Sequence, residues 1–492
     1  MGEQVGGHSF SRADRTRYRQ RIRACLDVFA ALLRDGRFAT QAPLTGLEIE
    51  LNLVDGDAQP AMRNAEALTA IADPTFQTEL GQFNLEINVP PRRLAGDGPA
   101  RVEQQVRSSL NAAEGKAATI GTHLVMVGIL PTLRGEHMRA ESISGDPRYA
   151  LLNEQIFAAR GEDMAIDIDG PEPLVTTSDT LAPEAACTST QFHLQVAPEE
   201  FAAYWNAAQA LAAVQVALGA NAPFLLGRRL WAETRIPLFE QAVDTRSEEI
   251  KAQGVRPRVW FGERWITSVF DLFEENVRYF PALLPICEDE DPAQALASGA
   301  TPRLGELRLH NGTIYRWNRP VYDTAGGTPH LRVENRVLPA GPTVLDTIAN
   351  GAFWFGVVRT LAEQERPLWT QISFNAAEEN LHRAARDGIE AQLYWPGLGY
   401  LPATELALRR LVPMAAGGLD RWGVDPALRD RYLGVIERRC ALQRNGATWQ
   451  ASTVETLERR GMDRPAALAA MLREYIANMH GNRPVHEWPV GR

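Results

Sequence analysis

The spacing of apolar residues changes early in the chain from a helical period to a strand period. Between residues 12 and 35 the apolar side chains recur every three or four positions, which predicts an amphipathic helix. Ser11 and Asp14 resemble a capping box at its start, and Gly36 is expected to end it. From Leu44 onward the period shortens to two, which indicates a half-buried strand.

Five segments show the strand period and are predicted to form one sheet. They are residues 44–53, 84–89, 191–196, 306–310 and 331–337. Pro90 and Pro91 are expected to close the second strand. Because alternate side chains of a strand share a face, Glu48 and Glu50 are expected to point the same way. The shared polar face would carry Glu48, Glu50, Glu86, Gln191, His193, Arg308, His310, Arg332, Glu334 and Arg336.

Helical patterns separate these strands and dominate the last third of the chain. Segments 102–118, 198–218 and 265–279 are expected to cover the apolar side of the sheet, and the pattern after about Asp346 is nearly all helical. The predicted fold class is therefore α+β, an antiparallel sheet with helices on its apolar face. We predict three parts, namely an N-terminal helix packed on the core at 1–43, a central sheet domain at 44–350 and a C-terminal helical lobe at 351–492.

Composition and charge narrow the classes of protein to consider. The 492 residues are 45% apolar and 23% charged, as in ordinary globular proteins. The net charge of −10 comes without a basic stripe, which argues against a nucleic-acid partner. We find no apolar h-region at the N-terminus and no run of 18 apolar residues, so neither secretion nor a membrane span is predicted. The four cysteines lie far apart, which favours a reducing cytoplasm.

The polar face of the predicted sheet is unusual for a surface that only meets water. On any one strand, contact with water would be enough to explain the polar residues. The five strands together, however, lack Lys and divide into acid-rich and arginine-rich groups. Clustered carboxylates suit Mg²⁺ or Mn²⁺ better than structural zinc. Residues two apart on a strand are about 6.5–7 Å apart, so Glu48 and Glu50 would serve neighbouring ions. Arg308, Arg332 and Arg336 suit the charge of a transferring phosphoryl group, which indicates a nucleoside triphosphate.

Several familiar catalytic motifs are absent from the sequence. Neither G-x-x-x-x-G-K-[ST] nor G-x-G-x-x-G follows a predicted strand, which argues against P-loop, kinase and Rossmann proteins. A G-x-S-x-G elbow and an H-E-x-x-H motif are also missing, so hydrolase triads and zinc proteases lack support. Cys187 precedes the third strand, but a lone cysteine in an apolar context usually serves packing, and we assign it no role.

Taken together, the motifs resemble those of the glutamate-cysteine ligases. The resemblance rests on Gly-Leu-Glu-Ile-Glu at 46–50, on Glu79 and Glu86 seven residues apart, and on the triplet Glu334-Asn-Arg336. It covers residues 44–350 well and the helical tail more loosely. The sequence looks nearest to the bacterial and plant-type branch with its carboxylate-amine ligase relatives, which implies a glutamine-synthetase-like fold with a curved antiparallel sheet.

The resemblance also implies which residues bind metal, ATP and substrate. In that family an acidic cluster holds magnesium ions against the ATP phosphates, and the matching positions are Glu48, Glu50, Glu79, Glu86, Gln191 and Glu334, with His193 as the alternative to Gln191. Arg332 and Arg336 resemble its phosphate-facing arginines and, with Glu334, are the catalytic candidates. We add Arg308 and His310 as candidates for ATP binding. The substrate candidates are Arg148, Tyr149, Arg235 and Arg316.

The implied reaction joins glutamate, or a similar carboxylate, to an amine. The carboxylate attacks the γ-phosphate of ATP to give an acyl phosphate, and the amine then displaces phosphate to form a γ-glutamyl amide, as in glutathione biosynthesis, with release of ADP. Cysteine is the default amine, and other amines stay open. Two other classes also stay open, a noncatalytic homologue that binds nucleotide or amino acid and a metal-dependent phosphohydrolase. Homo-oligomerisation is not decided by the sequence.

Overall fold

The computed structural model describes residues 10–39 and 43–491, so the predictions for residues 1–9 and 40–42 lie outside the described residues. The helices are α1 Arg12–Arg34, α2 Asn64–Ile71, α3 Gly98–Ala117, α4 Pro147–Arg160, α5 Ala182–Ala185, α6 Pro198–Gly219, α7 Arg235–Ala242, α8 Glu248–Ala252, α9 Val269–Tyr279, α10 Pro292–Ala297, α11 Gly305–Gly312, α12 Val344–Ala362, α13 Phe374–Asp387, α14 Ala403–Leu406, α15 Val412–Trp422, α16 Pro426–Leu442, α17 Gly446–Arg459 and α18 Arg464–Gly481. The strands are β1 Leu44–Val54, β2 Phe76–Thr78, β3 Asn84–Arg93, β4 His123–Val125, β5 Met164–Ile168, β6 Leu174–Ser178, β7 Ser189–Val196, β8 Phe224–Leu225, β9 Arg228–Arg229, β10 Val259–Trp260, β11 Tyr315–Arg316, β12 Asn318–Asp323, β13 His330–Pro339, β14 Gln392–Trp395 and β15 Gly399–Pro402.

Helix α1 begins where its capping residues predict. The Ser11 side chain accepts a hydrogen bond from the Asp14 backbone N–H, and the Asp14 carboxylate accepts one from the Ser11 N–H. The helix ends at Arg34. Its buried side packs through Phe29 against Phe273 of α9 and Tyr322 of β12, with ring centroids 4.8 and 5.8 Å away.

A seven-stranded antiparallel sheet lies at the centre of the fold. Its strands run in the order β12-β13-β7-β1-β3-β2, and β4 also pairs with β1. Glu48 lies opposite Gln191 of β7 and Asn88 of β3, while Glu334 of β13 lies opposite His193 of β7. This register joins the polar faces of four predicted strands into one surface. The predicted α+β class is confirmed.

Helices α6 and α12 pack against β13 and β7 on the apolar side of the sheet. Phe192 of β7 stacks on Trp354 of α12, with ring centroids 6.2 Å apart, and meets Phe355 edge-on at 5.9 Å. Gly351 permits this close approach, because a Cβ there would lie 2.8 Å from the Phe192 ring. Helix α12 runs across residue 350, and the predicted division at that residue stays a prediction.

One predicted strand is wrong. Segment 306–310 lies in helix α11, so Arg308 and His310 do not project from the sheet. Leu304 and Leu307 are both buried and three residues apart, as on one side of a helix, and five alternating residues are too few to separate the two periods. The strand next to β13 is β12 instead, and Pro320 within it concealed the strand from sequence analysis.

Two element boundaries also differ from the prediction. Strand β3 continues through Pro90 and Pro91 to Arg93, because its pairing with β1 shifts register between Thr45 and Leu47 and the irregular segment tolerates residues without an N–H. The helix predicted from residue 265 begins at Val269, with Ser268 as its N-cap. No helix among residues 10–39 and 43–491 is long and apolar enough to cross a membrane.

Candidate active site

Glu50 is held on the polar face of the sheet by the neighbouring strand β7. Its Oε2 accepts a hydrogen bond from the Ser189 N–H at 2.6 Å, and its Oε1 accepts from Ser189 Oγ at 3.0 Å and Gln191 Nε2 at 2.8 Å. Burial raises the pKa of Glu50, although Arg336 opposes the shift. The Gln191 Oε1 is buried and has no hydrogen-bond partner in the described part of the chain. It is an unused acceptor on this face.

Glu48 lies at ion-pair distance from His193, the alternative ligand candidate. His193 Nε2 is 3.1 Å from Glu48 Oε1. His193 pairs in register with Gly46, where a Cβ would lie 3.3 Å from the His193 Cβ, so glycine leaves room for the imidazole. Burial opposes the charge of Glu48, but His193 outweighs it and lowers the Glu48 pKa. In this conformation His193 is the partner of a predicted metal ligand.

Glu334 on β13 contacts two arginines. Arg319 of β12 binds both of its oxygens, with Nε to Oε2 at 2.8 Å and Nη2 to Oε1 at 3.0 Å, and Arg336 Nη1 lies 3.1 Å from Oε1. Burial opposes the charge, but Arg319 and Arg336 lower the pKa of Glu334 to about 2. Sequence analysis missed Arg319 because Pro320 concealed its strand. The residues of β12 are alternately buried and half-buried in the structure, but its sequence does not alternate apolar and polar residues and so gave no signal.

Glu79 and Glu86 form the acidic side of the site, and neither forms a salt bridge with a described residue. Glu86 Oε1 accepts a hydrogen bond from Asn88 Nδ2 at 2.6 Å, and Glu79 Oε2 accepts one from the Leu80 N–H at 3.2 Å. Burial raises the pKa of Glu79 to about 7, and the charge of Glu50 adds to this. Burial and then the neighbouring carboxylates raise the pKa of Glu86 well above its usual range. Among residues 10–39 and 43–491 neither carboxylate has a cation at ion-pair distance, although the charges of Arg336 and Arg148 act on Glu79 from farther away.

The donor set of this cluster fits a hard cation. Its carboxylate oxygens and the free amide oxygen of Gln191 are the donors that Mg²⁺ and Mn²⁺ prefer, and a cation would relieve the repulsion among the carboxylates. In the part of the chain that the structure describes, no three His, Cys, Asp or Glu side chains are arranged to hold one metal ion. Metal binding would therefore require carboxylates to turn away from protein partners such as Ser189.

A pocket of about 570 Å³, including its open side, adjoins the carboxylate cluster. Its lining includes Glu50, Glu79, Glu184, Phe239, Trp317 and Arg336. Arg235, predicted to bind substrate, also lines the pocket, but its charge is already paired. Its Nε lies 2.7 Å from Oε1 of the fully buried Glu233, and its Nη2 donates to the Val337 carbonyl at 2.8 Å.

Arg148 and Tyr149, two further substrate candidates, lie at the start of α4 close to Glu79. The Asp146 side chain caps the helix by accepting a hydrogen bond from the Arg148 N–H at 2.8 Å. The Tyr149 hydroxyl donates to the Thr78 carbonyl at 3.5 Å. Burial and then the charge of Glu79 raise the pKa of Tyr149. Both residues therefore border the acidic side of the site.

Arg308 and His310 lie outside the cluster, which corrects their predicted place on the sheet beside the phosphates. Both belong to α11. His310 Nε2 lies 2.8 Å from the Asn276 carbonyl oxygen, and burial lowers the His310 pKa to about 4, so the ring is neutral at physiological pH. A neutral, buried imidazole bonded to a backbone carbonyl serves the packing of α11 on α9.

Arg316 and Arg332 also have other partners. Arg316 is 2% exposed, and its Nη2 lies 3.0 Å from Glu275 Oε2 on α9. Arg332 shares the polar face of β13 with Glu334, but its Nη1 lies 3.0 Å from Asp323 Oδ2. The structure thus brings together all seven predicted metal ligands and Arg336, and it places Arg316 and Arg332 in separate ion pairs.

A comparison with protein families identifies most of the chain. The model of glutamate-cysteine ligase family 2 (GCS2) matches residues 44–464. The chain belongs to this family. GCS2 membership makes the protein a carbon–nitrogen ligase of the carboxylate–amine type, a class of enzyme that uses ATP, and it confirms the resemblance found in the sequence.

One solved structure supports the fold of this GCS2 protein. The glutamate–cysteine ligase of Francisella tularensis, solved in complex with AMP, is 12% identical with a TM-score of 0.55, and the alignment covers 92% of this chain and 91% of that one. The bifunctional glutathione synthetase of Pasteurella multocida is also 12% identical, with a TM-score of 0.46 over 93% of this chain and 55% of that one. A comparison with curated proteins found no significant match. The likeness to the Francisella enzyme confirms the predicted glutamine-synthetase-like fold class.

Proposed function

We propose that this GCS2 member is an ATP- and Mg²⁺-dependent ligase, similar to glutamate–cysteine ligase, that forms a γ-glutamyl amide through an acyl phosphate and releases ADP and phosphate. One observation carries the proposal. At one face of the sheet, Glu79 and Glu86 form no salt bridge with a described residue, while Arg336 contacts Glu334 and lies close enough to Glu79 to act on its pKa. A metal cation and a polyphosphate complement these two groups.

The metal would be held by the oxygen donors of the carboxylate cluster, which are Glu48, Glu50, Glu79, Glu86, Gln191 and Glu334. Gln191 is favoured over His193 because its buried, unpartnered Oε1 is an oxygen donor of the kind that Mg²⁺ prefers, whereas His193 offers ring nitrogens and its Nε2 already lies 3.1 Å from Glu48 Oε1. Bound Mg²⁺ supplies positive charge that neutralises phosphate oxygens, and Mn²⁺ suits the same donors. Glu334 remains ionised at any physiological pH because its pKa is about 2.

Arg336 and Arg319 would bind the transferred phosphoryl group. Glu334 contacts both guanidinium groups and so holds their charge in place on the sheet. Positive charge that is already oriented can stabilise the transition state without reorganisation. Arg336 also lines the pocket, so it can reach the substrate side. Arg332, on the same face, would need to leave Asp323 before it could contact a phosphate.

The carboxylate substrate would bind near Arg148 and Tyr149. These residues border the acidic side of the site, and the charge of Arg148 acts on Glu79. Arg235 and Arg316 are weaker candidates, because their guanidinium groups are paired with Glu233 and Glu275. The guanidinium of Arg148 would orient a carboxylate by a charge-assisted hydrogen bond.

The cytoplasm is the compartment that we propose for this enzyme. Cys25, Cys187, Cys287 and Cys440 are all unpaired in the structure. Free thiols persist where glutathione and thioredoxin keep them reduced.

The experiment separates acyl phosphate formation from amide formation. Purified protein receives ATP, Mg²⁺ and glutamate with either hydroxylamine, which traps an acyl phosphate as a hydroxamate, or a panel of amines that includes cysteine. We expect a hydroxamate, and ADP release that depends on the amine, with an amide of matching mass. ADP release that needs neither glutamate nor amine would indicate a phosphohydrolase. Nucleotide binding without any ADP release would indicate a noncatalytic homologue.

A further inference from the structure

The pocket beside the carboxylate cluster contains a carboxylate that the proposed phosphate chemistry does not use. Glu184 belongs to α5, and its Oε2 is buried without a hydrogen-bond partner among the described residues. Burial raises the pKa of Glu184 to about 8, the charge of Glu79 adds to the shift, and Arg336 opposes it. A buried oxygen without a partner costs free energy, and because this one belongs to a residue that lines the pocket, a ligand in the pocket could supply its hydrogen bond.

The charges around the pocket favour a cationic ligand. Glu50, Glu79 and Glu184 line it, and each is a carboxylate. Of the two arginines of the lining, Arg235 is paired with Glu233, and Arg336 contacts Glu334 and is assigned to the phosphoryl group. A cation bound among these carboxylates would favour their ionised forms, whereas a second carboxylate would be repelled by them. A glutamate side chain is therefore a poor occupant of this pocket.

The pocket also has an aromatic wall. The rings of Phe239 and Trp317 meet edge-on with centroids 5.7 Å apart, and Phe239 lies 5.3 Å from Tyr315. Trp317 is 2% exposed, and its indole N–H has no hydrogen-bond partner in the described structure. Aromatic faces bind apolar groups and also attract an ammonium ion. The wall and Glu184 together suit an ammonium ion that carries an apolar group.

We propose that this pocket binds the amine substrate, with its ammonium group hydrogen-bonded to Glu184 and its apolar part against Phe239 and Trp317. The inference rests on the proposed ligase function and names the chemical class of the acceptor, a primary amine in its ammonium form with an apolar substituent. The pocket shares Glu50, Glu79 and Arg336 with the phosphate side of the site, which places the amine next to the acyl phosphate.

Glu184 would then be a catalytic residue that activates the amine. An ammonium nitrogen has no lone pair, so one N–H proton first passes to the Glu184 carboxylate. The neutral nitrogen attacks the acyl carbon, the new C–N bond forms, and the C–O bond to phosphate breaks. The departing phosphate takes the second proton from the nitrogen. The products are the amide and hydrogen phosphate, and the proton on Glu184 leaves to solvent.

The test uses two nucleophile probes that differ in charge. Hydroxylamine is largely uncharged at neutral pH and does not need Glu184, whereas phenethylamine is an ammonium ion with an aromatic group. In the wild-type enzyme we expect phenethylamine to compete with hydroxylamine and lower the yield of hydroxamate. The matched control is 2-phenylethanol, which has the same ring and no ammonium, and we expect it to compete much less.

The substitution Glu184→Gln should raise the concentration of phenethylamine needed for half-inhibition by at least about tenfold, since a charge-assisted hydrogen bond is lost. Glu184→Gln should also lower the rate of phenethylamide formation at least about tenfold more than the rate of hydroxamate formation, because neutral hydroxylamine needs no base. Glu136→Gln, at a side chain that is 61% exposed, is the control and should change neither value. Phe239→Leu, at a half-buried position, should raise the half-inhibitory concentration of phenethylamine more than it lowers the rate of hydroxamate formation.

Three results would overturn the inference. They are no competition by phenethylamine in the wild type, equal competition by 2-phenylethanol, and loss of hydroxamate formation itself in a folded Glu184→Gln protein. The last result would place Glu184 in carboxylate activation. If the wild-type enzyme forms no hydroxamate at all, the proposed ligase function fails first, and this outcome is distinct from a failure at the amine pocket.

Discussion

Two buried groups of charged residues in this protein are built in opposite ways. Asp346 of α12 is fully buried, and its oxygens accept hydrogen bonds from Arg439 Nη2 at 2.8 Å, Thr343 Oγ1 at 2.7 Å and the Val485 N–H at 3.0 Å. Arg439 also donates to Asn350 at 2.6 Å. This Asp346–Arg439 cluster ties α12, α16 and the C-terminal segment together with its charges matched.

The carboxylate cluster on the sheet face has unmatched charges. Glu79 and Glu86 have raised pKa values because burial and repulsion act on them together. Burial alone therefore does not distinguish the two clusters, whereas the presence of a paired cation does. A matched cluster stabilises the folded chain, and an unmatched one is a place where a ligand can supply the missing charge. Four substitutions test this distinction.

The largest effect on stability is expected at Arg439. Arg439→Met leaves Asp346 buried without its cation and should lower the free energy of unfolding by about 3–5 kcal/mol, measured by urea denaturation. The neighbouring Arg438→Met, at a side chain that is 72% exposed, is the control and should stay within about 0.5 kcal/mol. A loss at Arg439 no larger than that of the control would remove the distinction between the clusters.

Glu334→Gln should act on catalysis instead. The substitution removes the carboxylate that orients Arg319 and Arg336, so we expect kcat for hydroxamate formation to fall by at least about 100-fold, or about 2.7 kcal/mol. Circular dichroism should show an intact fold. Glu363→Gln, at a surface carboxylate that pairs with Arg359, is the control. Near wild-type kcat in the Glu334 variant would contradict the proposed site.

Glu79→Gln should stabilise the metal-free protein while reducing its activity. The folded-state pKa of about 7 lies above the usual 4.5, so the ionised side chain destabilises the fold increasingly from pH 4.5 to 7 and fully above that. At pH 8, with a metal chelator present, we expect the free energy of unfolding to rise by about 1–2 kcal/mol. At pH 4 we expect no change. Glu66→Gln, at a side chain that is 66% exposed, is the control and should not raise the free energy of unfolding. Added Mg²⁺ should stabilise the wild type more than the Glu79 variant, and an equal response would argue against a metal here.

The smallest effect is expected at His382, which forms an ion pair with Glu240 near the surface. Burial opposes its charge, but the hydrogen bond to Glu240 at 3.2 Å outweighs it and raises the His382 pKa to about 9. A raised histidine pKa stabilises the fold fully below about pH 6.5, and the contribution is lost as the pH rises through 9. His382→Gln should cost less than about 1 kcal/mol at pH 6, because the side chain is 37% exposed, and nothing at pH 10. Thermal unfolding at both pH values is the measurement, and an equal cost at both would contradict the ion pair.

The sheet residues were accessible to sequence analysis because they follow a local rule. In β1, β3, β7 and β13 the alternation of apolar and polar residues assigns each side chain to a face, and this correctly places Glu48, Glu86, Gln191 and Glu334 on one side. The same rule failed at Arg308, where five alternating residues also fit a helix. It missed Arg319, because proline is uncommon in strands.

By itself the sequence determined the periods of the elements, and hence which acids and arginines share the polar face of the sheet. The tertiary structure alone decided which of these charges are matched. Glu334 and Glu79 are the same residue type, yet the pKa of the first is lowered to about 2 and that of the second is raised to about 7. The difference comes from partners distant in sequence or on other strands, Arg319 for Glu334 and Glu50 for Glu79, and electrostatic energy depends on distances in space that no local pattern encodes.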